Sequence, residues 1–133
     1  MIAVDTNILI RYAVKDDRQQ TVAATKILAE NRCMILETVL LEVAWVLESA
    51  RGYRLSRADT VGRIRHILGL PGIVVPDVDR IAQAVSWFEA GMDFADALHL
   101  AGSDNLDAFA TFDQELVRVA VALDVPVKFL SLD

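Results

Sequence analysis

The sequence predicts an α/β fold, a three-layer α/β/α sandwich with a short central parallel sheet. Short apolar runs alternate with longer helical segments along the 133-residue chain, the order expected of β–α units. The apolar runs are hydrophobic throughout, as is typical of strands that are covered on both faces. Two consecutive helices, at about residues 37–50 and 56–70, separate the second and third runs, so we expect a helical hairpin inserted there.

The predicted strands share a short, apolar and largely β-branched or aliphatic composition, and they lie at residues 2–4, 34–36, 73–75, 108–110 and 125–130. The first strand is followed by Asp5, Thr6 and Asn7, which favour the start of a helix through ILIRYAV. Further helices are predicted at residues 16–30, 38–49, 56–70 and 76–88, after Gly91, and at 113–123.

Local signals set the expected limits of the hairpin. The helix at 38–49 is so apolar that we expect it to be buried on most sides, and Gly52 is expected to end it. Ser56 opens the next helix, with Asp59 three residues later as a weak capping box. Leu70-Pro71-Gly72 is expected to close it.

Length and composition indicate a single globular domain covering residues 1–133. Hydrophobic residues make up 54% of the chain, which is enough for a full core, and no apolar run is long enough to span a bilayer. The N-terminus carries an acid at position 5 and no basic lead, so we do not expect a signal peptide. Cys33 is the only cysteine, which excludes an intramolecular disulfide and fits a cytoplasmic protein.

The net charge of −6 is unevenly distributed. Residues 1–76 hold ten Lys and Arg against eight Asp and Glu, a balance of +2, whereas residues 77–133 hold three against eleven, a balance of −8. The basic segment contains five arginines: Arg51, Arg54, Arg57, Arg63 and Arg65. Such a cluster is either the solvated face of a helical hairpin or a binding surface for an anionic partner.

Glu42 is the acid least easily explained as structural. It lies in VLLEVAWVL, where eight of nine residues are apolar, and an unpaired buried carboxylate costs on the order of several kcal/mol. We therefore expect Glu42 to face a partner, a cation or a solvent-filled cleft. By contrast, helix capping alone would explain the acids that lie at predicted helix starts: Asp5, Asp93, Asp96 and Asp113.

The predicted topology nevertheless gathers four acids at one end of the sheet, where open parallel sheets bind ligands. Asp5 and Asp113 follow strands expected to be neighbours, and Asp96 begins the helix before the second of these strands. Glu42 lies near the start of the helix after strand two. Four close carboxylates raise one another's pKa, a penalty that a divalent cation removes. Oxygen-only donors favour Mg²⁺ or Mn²⁺, and such a site suits phosphodiester hydrolysis.

These residues resemble a known family. The segments VDTNILI (4–10), Glu42 in its apolar helix, DFADALHLA (93–101) and FATFD (109–113) together resemble a PIN domain, specifically a VapC-type toxin of a toxin–antitoxin pair. The resemblance covers essentially the whole chain. It implies an endoribonuclease dependent on Mg²⁺ or Mn²⁺, commonly a homodimer, inhibited by a small antitoxin whose C-terminal segment occupies the active-site groove.

The resemblance also implies roles for individual residues. Asp5 and Asp96 would be the primary metal ligands, and Glu42 and Asp113 would complete the catalytic pocket. Asn7 and Thr111 match positions that support the pocket by hydrogen bonds, and Asp93 matches a position that is often acidic. These three residues complete the set of expected site residues. The arginines between positions 51 and 65 would hold the RNA backbone or contact the antitoxin.

Two alternatives remain open at this stage. A receiver-like signalling module would also have a parallel sheet and an acidic Mg²⁺ pocket, with its key positions filled by Asp5, Asp77, Thr111 and Lys128. Such modules do not explain Glu42 or the helical hairpin. A PIN-like fold used only for protein binding is the other alternative, because function belongs to sites and not to folds.

Overall fold

A computed structural model describes residues 1–131, and their elements fall into two compact units. The first unit runs from Met1 to Val78, and the second begins at Asp79. Within residues 1–131, every helix is too short or too polar to cross a membrane. The prediction that residues 1–133 form one domain stays a prediction.

The first unit contains a parallel sheet in the order β1-β2-β3. Its strands are β1 (Ile2–Ala3), β2 (Cys33–Met34) and β3 (Ile73–Val74). Ile2 pairs with Cys33, and Cys33 pairs with Ile73, so the central strand is hydrogen-bonded on both sides. All three strands end at the same edge because they are parallel, as the sequence predicts.

Four helices accompany this sheet: α1 (Thr6–Val14), α2 (Arg18–Glu30), α3 (Glu37–Glu48) and α4 (Arg57–Leu68). The hairpin of α3 and α4 lies between β2 and β3, which confirms the predicted insertion. Apolar side chains from α1, β2, α3 and α4 form the core of this unit, and the fully buried ones include Leu9, Ile35, Leu40, Leu47 and Ile64.

The second unit comprises α5 (Val78–Glu89), α6 (Phe94–Ala101), β4 (Phe109–Thr111), α7 (Gln114–Ala122) and β5 (Phe129–Ser131). The strands β4 and β5 are parallel neighbours, with Phe109 opposite Phe129. Phe88 at the end of α5 packs on Phe94 at the start of α6, with ring centroids 4.9 Å apart. Since Phe94 is buried one residue after Asp93, this contact fixes the entry to α6.

Several predicted element limits differ from the observed ones, and three of these differences have a visible local cause. The helix α3 ends at Glu48 and not at Gly52, which lies in the following turn, where its backbone closely approaches the carbonyl of Val46. The helix α4 ends at Leu68, before the predicted stop, because Gly69 caps it. The last strand begins at Phe129 and not at Val125, because the Val125 N–H is bonded to the Ala120 carbonyl in the turn after α7.

Candidate active site

Asp5 occupies the expected place at the carboxyl edge of the first sheet, immediately after β1. It is the N-cap of α1, and its Oδ1 accepts a hydrogen bond of 2.7 Å from the Thr6 backbone N–H. The Asp5 side chain is exposed. The capping interpretation is therefore correct for Asp5, and the bond also holds its carboxylate in one orientation at the sheet edge.

Glu42 lies on the exposed face of α3, which corrects the expectation that this helix is buried on most sides. The buried side of α3 packs in the core through Leu40, Val43, Ala44 and Leu47. Glu42 and Trp45, one turn later, are exposed to solvent. The sequence of α3 does not reveal which side of the helix is exposed, because most residues on both sides are hydrophobic. Glu42 thus faces solvent, one of the environments expected for it.

Thr6 joins these two acids. Its backbone N–H donates to Asp5, and its Oγ1 donates to Glu42 Oε2 over 3.2 Å. The Thr6 side chain is 6% exposed, so its hydroxyl is held firmly between the two elements. Asp5 and Glu42, 37 positions apart in sequence, therefore bond to the same residue. The sequence predicted Thr6 only as one of the residues that favour the start of α1, and it did not indicate this link to Glu42.

The second unit brings together three acids of the predicted set. Asp93 is the N-cap of α6, and its Oδ1 accepts from the Asp96 backbone N–H over 3.1 Å. Asp113 is the N-cap of α7, and its Oδ1 accepts from the Leu116 N–H over 3.0 Å. Asp93, Asp96 and Asp113 line one cavity of about 200 Å³, together with Glu115.

Asp96 is the acid whose environment is the least favourable for a negative charge. Partial burial raises the pKa of its carboxyl above the ordinary value, and the charges of Asp93 and Asp113 raise this pKa further. His99, one turn along α6, acts in the opposite direction. Unlike Asp93 and Asp113, Asp96 does not serve as the N-cap of its helix. A cation in the cavity would relieve the repulsion that raises the pKa of Asp96.

The two predicted supporting residues, Thr111 and Asn7, differ in their contacts. Thr111 closes β4, and its Oγ1 accepts a 2.9 Å hydrogen bond from the Asp113 N–H, so it fixes the backbone that carries Asp113. Asn7 is exposed in the first turn of α1. Thr111 therefore makes a hydrogen bond to the backbone of Asp113, which is one of the predicted site residues. The supporting role of Asn7 stays a prediction.

The donor set suits a hard divalent cation, because every side chain in it offers carboxylate oxygen. In residues 1–131, no group of three or more His, Cys, Asp and Glu side chains is close enough to form a preformed metal site. The structure shows two partial assemblies, each described within its own unit. One is the pair of Asp5 and Glu42 on Thr6, and the other is the acidic cavity of the second unit.

The five arginines between positions 51 and 65 do not form one uniform surface. Arg57 makes an ion pair with Glu48, with a distance of 2.6 Å between Nε and Oε2. Arg54 donates from Nε to the Ala50 carbonyl over 3.0 Å, and Arg63 donates to the Ala13 carbonyl. Arg51 and Arg65 are exposed. The contacts of Arg54 and Arg57 are thus with their own turn and helix hairpin.

Comparison with known proteins supports the sequence interpretation at the level of the family. The model of the PIN domain matches residues 2–122 of the chain. A comparison of the chain with curated proteins found no match. The family match favours the PIN interpretation over a receiver-like module, and it includes the acids of both units.

Proposed function

The chain belongs to the PIN domain family, whose members are in general nucleases, and from this premise we propose that it is a Mg²⁺- or Mn²⁺-dependent endoribonuclease. We propose further that it is the toxin of a type II toxin–antitoxin pair and works in the cytoplasm. Its substrate would be RNA, its inhibitor a small antitoxin protein, and its functional form a homodimer.

The observation that carries this proposal is the acidic cavity of the second unit. Asp93, Asp96 and Asp113 are among the residues that line a cavity of about 200 Å³, and partial burial, followed by the charges of Asp93 and Asp113, raises the pKa of Asp96. A cluster whose charges oppose one another is retained at a cost in stability, which is typical of functional sites. A purely structural set of helix caps would not need Asp96, since Asp93 already caps α6.

The residues proposed to hold the cation are Asp5 and Asp96, with Glu42 and Asp113 completing the set. A bound Mg²⁺ or Mn²⁺ would lower the pKa of a water molecule and stabilise the leaving oxygen, giving products with 5′-phosphate and 3′-hydroxyl ends. Thr6 orients the Glu42 carboxylate through its hydroxyl. Thr111 holds the backbone at Asp113 through the 2.9 Å bond.

A cleavage assay on structured RNA with Mg²⁺ tests the proposal. We expect Asp96→Asn to reduce cleavage by at least roughly a hundredfold, because the variant keeps the shape of the side chain and removes its charge. Asp107→Asn is the matched control, since Asp107 is an exposed loop residue of the same unit. Equal cleavage by wild type and Asp96→Asn would reject the proposed site.

The antitoxin proposal has its own test. Co-expression with the product of a short neighbouring reading frame should yield a complex in which RNA cleavage is suppressed. Active cleavage by such a complex would contradict the toxin–antitoxin proposal while leaving the nuclease proposal intact. A chain that folds, binds its partner and does not cleave RNA with any divalent metal would instead be a PIN-fold binding protein.

A further inference from the structure

A groove in the first unit lies on the surface formed by α1 and α4, and none of the predicted carboxylate ligands lines it. Its volume is about 420 Å³, within the range of ligand-binding pockets. Residues that could bind an anion line it, namely Lys15, Arg63 and His66. Asp59 is the acidic residue among its lining side chains. The groove therefore has a local excess of positive charge on a chain whose net charge is −6.

Lys15 is positioned at the groove at a conformational cost. It follows the last turn of α1 as the C-cap, with φ of 60° and ψ of 38°, in the left-handed region where glycine is usual. Its Nζ lies 4.4 Å from the centroid of the Tyr12 ring, a cation–π contact that holds the ammonium group beside the groove. Glycine adopts this conformation with less strain than lysine, and the cation–π contact of Lys15 with Tyr12 offsets part of that cost.

Tyr12 and His66 form an aromatic pair in the same groove. Their rings are stacked, with centroids 5.7 Å apart and planes inclined by 12°, and the Tyr12 hydroxyl lies 2.8 Å from His66 Nε2. If the hydroxyl donates to Nε2, the His66 Nδ1–H remains as a donor beyond the pair. If Nε2–H donates to the hydroxyl oxygen, the Tyr12 O–H remains. In either tautomer the pair offers a donor to a ligand.

Gly62 leaves the groove open on the α4 side. Apart from the neighbouring residues and the nearby backbone of α4 itself, no heavy atom of the described residues lies within 4 Å of the position that a Cβ at Gly62 would occupy. Glycine inside a helix is destabilising relative to alanine, and no close neighbour here requires it. Because Gly62 has no side chain, a ligand has access to the backbone of α4 between Ala58 and Arg63. The lining thus combines two cations, a stacked aromatic pair and an open helix surface.

We propose that this groove is a separate contact for single-stranded RNA, in which Lys15, Arg63 and His66 bind a backbone phosphate beside the Tyr12–His66 stack. The proposal rests on the proposed ribonuclease function for the identity of its ligand. Cations beside exposed aromatic rings are the combination that single-strand binding sites use. Acidic peptides would need the cations alone, so the aromatic pair favours RNA. The groove would extend substrate binding beyond the carboxylates and compensate for their repulsion of phosphate.

The test measures the binding of a short fluorescein-labelled single-stranded oligoribonucleotide by fluorescence anisotropy, with EDTA and across a series of KCl concentrations. We expect Lys15→Gly to weaken binding roughly three- to tenfold and to reduce the slope of log affinity against log salt by about 0.7, the loss of one phosphate contact. Thermal unfolding should show Lys15→Gly to be at least as stable as wild type, because glycine adopts a φ of 60° without strain.

Two matched comparisons separate the groove from general charge effects. Lys26→Gln removes an exposed charge on α2, outside the groove, and should leave the affinity within about twofold of wild type. Gly62→Gln and Gly62→Glu place side chains of similar size into the groove. Both should weaken binding, and the acidic variant should weaken it more because it repels phosphate.

The outcomes distinguish this proposal from the nuclease proposal. Equal affinity losses in Lys15→Gly and Lys26→Gln, or full binding by Gly62→Glu, would overturn the groove as an RNA contact, whatever the cleavage assay shows. Displacement of the RNA by polyglutamate at equal charge concentration would also overturn it and would assign the groove to acidic peptides. Binding that depends on Lys15 and Gly62 in EDTA, together with no RNA cleavage in the separate assay with Mg²⁺ or Mn²⁺, would support the groove and reject the nuclease proposal.

Discussion

Replacing Thr6 by valine tests whether its hydroxyl orients Glu42. Valine matches threonine in shape and fills the same buried space, because the Thr6 side chain is only 6% exposed. The variant retains the backbone N–H that donates to Asp5 and loses the 3.2 Å hydrogen bond to Glu42. The perturbation is therefore confined to one bond that joins α1 to α3.

The structure sets the size of the expected effect. Hydrogen bonds to charged groups contribute about 1.5–3 kcal/mol, but Glu42 is exposed and water replaces the lost donor, so we expect a loss of about 1 kcal/mol in the free energy of unfolding. For a chain of this length that lowers Tm by roughly 3–5 °C. If Glu42 acts in catalysis, its loss of orientation should lower kcat/KM about tenfold, equivalent to about 1.4 kcal/mol.

Thr6→Ser is the control, because serine keeps the hydroxyl and removes only a methyl group. Thermal unfolding and RNA cleavage with Mg²⁺ should place Thr6→Ser near wild type in activity and Thr6→Val well below it. The reasoning would be refuted if Thr6→Val cleaved RNA as fast as wild type, or if both variants lost activity equally. The second result would show that the packing of the methyl group, and not the hydroxyl, matters.

Three further predictions concern the acidic cavity and the glycines. Because the folded-state pKa of Asp96 is raised, the contribution of this residue to stability should fall as pH rises from the ordinary aspartate pKa through that raised pKa; urea unfolding between pH 3 and pH 8 should show wild type losing stability relative to Asp96→Asn over this range. Mg²⁺ should raise the Tm of wild type more than that of Asp96→Asn, and equal shifts would place the cation elsewhere. Gly52→Ala should destabilise by more than about 2 kcal/mol in thermal unfolding, because its Cβ would lie 1.9 Å from the Val46 carbonyl oxygen, whereas Gly62→Ala should be neutral or stabilising by about 0.5–1 kcal/mol.

Local sequence signals predicted the elements that depend on local bonds. Asp5, Asp93 and Asp113 each cap a helix as their positions suggested, and Ser56 caps α4 by accepting from the Asp59 N–H. These predictions succeeded because a cap is formed by residues within three positions of one another. The hairpin between β2 and β3 was predictable for a similar reason, since each helix has its own start signal.

The prediction that was wrong, and the contacts that the sequence did not indicate, depend on residues that are distant in sequence. The exposed face of α3 is set by which neighbours pack against it, whereas its composition alone predicted a helix buried on most sides. The bond from Thr6 to Glu42 spans 36 positions, and only the hydroxyl directly after Asp5 hinted at it. The groove at Lys15 and His66 likewise joins two helices that are separate in sequence.

Helix capping would not prevent the acids of this chain from binding the proposed metal ion. Asp5, Asp93 and Asp113 each use Oδ1 to accept from a backbone N–H, and a carboxylate has a second oxygen that can face a cation. The capping bond fixes the side chain before a ligand binds, which reduces the entropy lost on binding. Asp96 lies in the first turn of α6, partly buried and near the charges of Asp93 and Asp113, so the proposed cation would stabilise its carboxylate. In the proposed site, Asp93 would therefore hold the start of α6 in place through its capping bond, and Asp96 would provide the carboxylate that binds the cation.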